Sequence, residues 1–269
     1  MDGTVAYGSG LTADTNRMPS PWLWAHCPWS AIRSGAVDGV AYWNDFTGNY
    51  VLANNQTVTN LGEGVSGFTA ATSGSTISME ADEPYGVAVL NSTTDNEDAG
   101  ISILGGQNTA GQITFESAKM TWFEARIKQA NIDNSKFNLF CGFAEEGLCA
   151  TTGLISASDA LQDKDLIGFQ RVFADGDKLD VVYNTEGDGG VTTAQADAVT
   201  VAADTYVKIG IFCDGTRLFF FANGIQIGSS VLLTAVPYGE EMAFYFVMML
   251  GDGADASANI DWVKIAQTR

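Results

Sequence analysis

Tyr206-Val207-Lys208-Ile209-Gly210-Ile211-Phe212-Cys213, Asp214-Gly215-Thr216, Arg217-Leu218-Phe219-Phe220-Phe221-Ala222, Asn223-Gly224 and Ile225-Gln226-Ile227-Gly228 follow one another without interruption. Three β-prone runs are separated by two turn signals. Asn223-Gly224 suits a two-residue type I′ hairpin, because both central positions need positive φ and these residues adopt it cheaply. Asp214-Gly215-Thr216 makes a slightly longer turn of the same kind. The stretch therefore predicts an antiparallel meander. Phe219-Phe220-Phe221 puts rings on both faces of its strand, so the three cannot all enter one core.

Further strands extend outward from the meander. Met242 to Leu250 predicts a long strand, and Ile260-Asp261-Trp262-Val263-Lys264-Ile265 a closing one. On the N-terminal side, Leu166–Phe173 and Leu179–Tyr183 flank Asp175-Gly176-Asp177, a second hairpin signal. Phe137 to Phe143 is apolar on nearly both faces, hence central. Lys119 to Lys128 alternates: Thr121, Phe123, Ala125 and Ile127 share the face expected in the core, while Trp122, Glu124 and Arg126 share the other. Residues 145–164 read as a long connection with a helical turn near Ser158, and Glu186 to Thr200 as a Gly- and Ala-rich excursion. The sum is about twelve short strands and no crossover helices, which predicts an all-β protein of two antiparallel sheets packed face to face.

Composition agrees. The 269 residues are 46 % hydrophobic and include 30 Gly, 15 Phe, 8 Tyr and 6 Trp, enough for a full core in a turn-rich fold. Acidic side chains outnumber basic ones 32 to 13, for a net charge of −19. Such a surface repels nucleic acid and anionic membrane, and it serves either solubility or assembly. Cys27, Cys141, Cys149 and Cys213 form no Cys-x-x-Cys pair, which disfavours a zinc site. Buried free thiols are expected for Cys141 and Cys213, with a Cys141–Cys149 bridge left open. Met1-Asp2-Gly3-Thr4 is no signal peptide, and no apolar run reaches membrane-spanning length. A soluble protein made in a cytoplasm is expected.

Residues 1–40 differ from the rest, so the chain divides into an N-terminal arm, 1–40, and a sandwich domain, 41–269. Met18 to Trp29 packs three prolines and three tryptophans into twelve positions without a helical or strand period. Proline breaks helices and removes ladder donors, so the arm is expected to be extended. A segment this rich in indole must lie on something, either its own domain or a neighbouring subunit. Pro19, Pro21, Trp22, Trp24, Pro28 and Trp29 are its candidate partner-binding residues.

Trp122-Phe123-Glu124-Ala125-Arg126-Ile127, Lys136 to Glu145, Ile167-Gly168-Phe169, Asp214-Gly215-Thr216 with Phe219 to Gly224, and Ile260-Asp261-Trp262-Val263 resemble, in this order, the concanavalin A-like (laminin G-like) jelly roll. More narrowly, the Pro/Trp-rich arm ahead of Trp43-Asn44-Asp45-Phe46 resembles a group of tailed-bacteriophage virion proteins. That resemblance implies a non-enzymatic decoration protein in a virion assembled in the host cytoplasm. It would be a homo-oligomer bound to the major capsid protein or other virion subunits. The alternative is a lectin-like carbohydrate-binding module, on a virion or elsewhere, with glycans as partners.

The residues offer little catalytic chemistry. Glycosidases of this fold place paired acids on one strand. Glu80-Ala81-Asp82-Glu83-Pro84 comes nearest, with the third acid at the wrong offset and a strand-breaking proline. Calcium, the one metal left open, needs 6–8 oxygen ligands. Asn91 to Asp98 and Asp252-Gly253-Ala254-Asp255 could contribute some, but neither has a recognised loop spacing, so no metal or cofactor is assigned. His26, the only histidine, has no placed nucleophile beside it. No catalytic residue is assigned, and the expectation is that the chain is not an enzyme.

Overall fold

The computed structural model describes residues 16–48, 50–52, 59–69, 74–81, 86–105, 110–132, 137–148, 154–156, 160–251 and 255–269. Among them, seventeen strands, numbered in chain order, form two antiparallel sheets. Sheet A runs β15 (Ile225–Leu232), β14 (Arg217–Ala222), β13 (Val207–Cys213), β8 (Thr121–Gln129), β17 (Ala256–Thr268), β5 (Ala88–Ser92), β4 (Ser75–Met79). β1 (Gly39–Asn44) pairs with the C-terminal half of β17, whose N-terminal half pairs with β5. Sheet B runs β12 (Thr192–Thr200), β11 (Lys178–Asn184), β10 (Leu166–Arg171), β9 (Phe137–Glu145), β16 (Glu241–Leu250), β6 (Asp98–Ile103), β3 (Val65–Thr69), β2 (Thr59–Gly62). A two-residue strand, β7 (Ile113–Thr114), pairs with the start of β16.

The opening stretch forms the meander β13-β14-β15. Asn223 and Gly224 have φ of 47° and 77°, as the hairpin requires. At the other turn, Asp214 Oδ1 accepts the N–H groups of Thr216 and Arg217, each at 2.8 Å. Phe123, Ala125 and Ile127 of β8 enter the core between the sheets, as the alternation predicts. There Phe143 of β9 meets Phe115, Phe123 and Phe244 with ring centroids 5.4, 5.2 and 6.4 Å away. Each such burial is worth roughly 1.5–3 kcal/mol. The triple-Phe run divides: Phe220 enters the core against Phe169, and Phe219 stacks on Phe212 on the outer face.

Two sequence readings are corrected, and the expected free thiol at Cys141 is found. The Gly- and Ala-rich excursion contains β12, an exposed edge strand whose Thr, Ala, Gln and Asp residues show no apolar alternation to betray it. Cys141 is a free buried thiol, which closes the pairing with Cys149 left open in the sequence. The arm is not extended throughout, because Pro21–Trp24 (α1) and Trp29–Arg33 (α2) are single helical turns. Pro21 stands at the start of α1, where a missing N–H costs nothing and a fixed φ favours the helix. The turn expected near Ser158 lies outside the described residues.

Both outer faces of the sandwich carry apolar residues and both are covered. On sheet B, Leu148, Leu154 and Ile155 pack over Phe140, Tyr245, Val247 and Met249. On sheet A, the cover is the arm, with Ile32 of α2 against Trp122 and Ala266.

Candidate functional site

The outer face of sheet A is built from alternate residues of β8, β13 and β17. Strand alternation that sends Phe123 and Ala125 inward sends Trp122, Glu124 and Arg126 outward. In β17 a bulge between Ile260 and Trp262 interrupts the register with β8. A bulge of this kind re-aims side chains. Here both Asp261 and Trp262 contact the arm.

Those outward groups tie the arm down. Glu124 Oε2 accepts the Ser20 N–H at 2.9 Å and the Trp24 indole N–H at 2.8 Å. Burial raises the pKa of Glu124, against these donors and the nearby Lys208 ammonium, which lower it. Lys208 Nζ donates to the Met18 carbonyl at 2.9 Å, and Trp262 Nε1 to the Arg17 carbonyl at 2.6 Å. Asp261, itself buried, bridges Arg17 at 2.6 Å and Arg126 at 2.5 Å. Leu23 of α1 rests on Gly210, where a Cβ would stand 2.6 Å from the Leu23 Cδ2 atom. A Cβ there would also stand 2.9 Å from the Phe123 carbonyl oxygen, which cannot move aside as the leucine tip can.

Beside this clamp lies an open groove of about 510 Å³, lined by Met18, Pro19, Pro21, Trp24, Trp29, Arg33, Trp43 and Lys264. Lys264 Nζ is 4.0, 4.6 and 5.8 Å from the ring centroids of Trp24, Trp29 and Trp43. Trp24 and Trp29 meet edge to face at 5.8 Å. Trp43 has one face stacked on Trp262 at 5.4 Å and is still 36 % exposed. Burial lowers the Lys264 pKa, opposed by Cys27 and Glu124, and pushes the Cys27 thiol up to about 11.

Of the candidate arm residues, the groove gathers Pro19, Pro21, Trp24 and Trp29. Trp22 stands apart at 58 % exposure, and Pro28 caps α2. His26 is exposed. Arg33, Trp43, Lys264 and Glu124 carry no site assignment in the sequence reading. The signal for two of them was the outward face of β8 and β17, where indole and charge alternate with core residues and so require a cover. Glu80 accepts a hydrogen bond from Asn259 at 2.6 Å. Asp82, Glu83 and Pro84, and Asp252 to Ala254, lie outside the described residues. Among the described residues no three His, Cys, Asp or Glu side chains cluster as a metal site.

Compared by sequence, the chain matches no family model and no curated protein. Solved structures match over most of its length. The potassium-bound carbohydrate recognition domain of Emp46p aligns with 83 % of this chain and 98 % of its own, at a TM-score of 0.54 and 12 % identity. A glycoside hydrolase family 16 protein of Bacteroides ovatus, solved with its product, covers 83 % and 99 % at 0.51 and 13 %. A glycoside hydrolase family protein from Mycobacterium thermorestibile covers 84 % and 100 % at 0.51 and 14 %. The fold is the concanavalin A-like jelly roll. At these identities the likeness is one of fold alone. It nevertheless overturns the expectation that the chain is not an enzyme, because hydrolases share this sandwich. None of the three is described as a virion protein, and the phage setting gains nothing from them.

Proposed function

We propose that the chain is a lectin-like carbohydrate-binding module whose site is the groove between the arm and sheet A. One observation carries this reading: the indoles of Trp24, Trp29 and Trp43 converge on an open groove with polar groups at its wall. Its volume falls in the range of small-molecule sites, and a sugar's apolar ring face stacks on indole while its hydroxyls meet polar groups. The carbohydrate recognition domain among the structural neighbours is consistent with it. The capsid reading relied on arm tryptophans reaching other subunits, whereas Trp24 and Trp29 both pack against Lys264 of their own sheet.

The test is a glycan array run with and without calcium, for the native chain and for Trp43→Ala, with release of reducing ends followed on the bound oligosaccharides. Binding is expected, and Trp43→Ala should weaken it by about tenfold or more. An array without hits in either condition overturns the reading.

A further inference from the structure

We infer that the groove recognises an anionic sugar residue, the ring lying on the indoles and its carboxylate or sulfate meeting Lys264 and Arg33. The inference rests on the carbohydrate reading and narrows it to a ligand class. Charge carries it. Acidic side chains outnumber basic ones 32 to 13 in the chain, yet the groove wall holds two cations and no carboxylate. Elsewhere on the same face cations are matched: Arg17 and Arg126 share Asp261, and Lys208 has the Met18 carbonyl. Among the described residues, Arg33 and Lys264 enter no ion pair.

Lys264 is the more telling of the two. It is half-buried, and its ammonium exchanges water for the faces of three indoles. Glu124 attracts it through space but is bonded to Ser20 and Trp24. A cation that has lost hydration without gaining a counter-ion is costly, and a bound anion relieves that cost. A neutral sugar would leave the ammonium with its indole contacts and without a counter-ion. The field of a −19 chain repels anions at long range, so recognition must come from short-range contacts inside the groove.

The experiment pairs each neutral oligosaccharide with its uronate and its sulfated counterpart, and titrates the best-binding set by calorimetry. At least one acidic member is expected to bind about tenfold more tightly than its neutral twin, since a charge-assisted contact is added. The two acidic arms separate carboxylate from sulfate. Arg33→Ala and Lys264→Met should each bring the acidic ligand toward the affinity of the neutral one. Arg33 is exposed on α2, so its variant reports even if the β17 substitution disturbs folding. Equal affinity for neutral and acidic members, still lost in Trp43→Ala, sinks this inference and leaves the carbohydrate reading standing. No binding by any member sinks both.

Discussion

Asp98 begins β6 at 3 % exposure, and burial raises its carboxyl pKa from 3.8 to about 6, with Glu97 adding to the rise and its own backbone N–H opposing it. Between about pH 4 and pH 6 the folded chain therefore holds a proton that the unfolded chain has released. Stability falls as pH rises through that window, and the full cost remains above it. At neutral pH it is on the order of 2–3 kcal/mol. Asp98→Asn keeps the shape and removes the charge, so it should raise stability at neutral pH and flatten the slope between those values. Urea unfolding across the window measures both. Parallel profiles for the two chains would show that burial of this carboxyl is not what the slope reports. In the sequence Asp98 ends a polar string that reads as a loop with oxygen ligands to offer. The structure instead starts a strand there, because its ladder with Met249 and the residues that follow fixes the backbone.

Leu23 links the arm to the sandwich at the level of elements. It is 4 % exposed against Gly210, and shortening it leaves a void under α1. Leu23→Ala should cost about 2–3 kcal/mol and speed proteolysis within residues 16–38, while the β-sheet circular dichroism is retained. Unchanged proteolysis would mean that the polar clamp alone holds the arm. The meander was legible beforehand because its information is local: Asn223-Gly224 and Asp214-Gly215 set turns by their own backbone preferences. The alternation in β8 likewise placed Phe123 and Ala125 in the core. The arm was less legible for two reasons. Its prolines read locally as helix breakers, whereas Pro21 opens a turn. Its docking partners, Glu124, Lys208, Asp261 and Lys264, come from strands far away in sequence, and no local pattern announces that they meet. β12 escaped because an exposed edge strand needs little apolar content.

For the whole molecule, charge and connectivity set the behaviour. A net charge of −19 on one sandwich opposes compaction through self-repulsion. Raising NaCl from about 20 to about 300 mM shortens the screening length from roughly 20 Å to roughly 6 Å. The melting temperature should rise with it in scanning calorimetry. A fall would mean that paired groups such as Arg17, Asp261 and Arg126 outweigh the general repulsion. Connectivity has its own consequence. Arg17 and Asp261 stand 244 residues apart, and among the described residues β1 pairs only with β17. On a ribosome adding about 5–20 residues per second, the indole-rich segment emerges roughly 12–50 s before the surface it belongs on. During that interval its tryptophans have no home, so the nascent chain is a natural client for chaperones, and slower translation would lengthen its exposure.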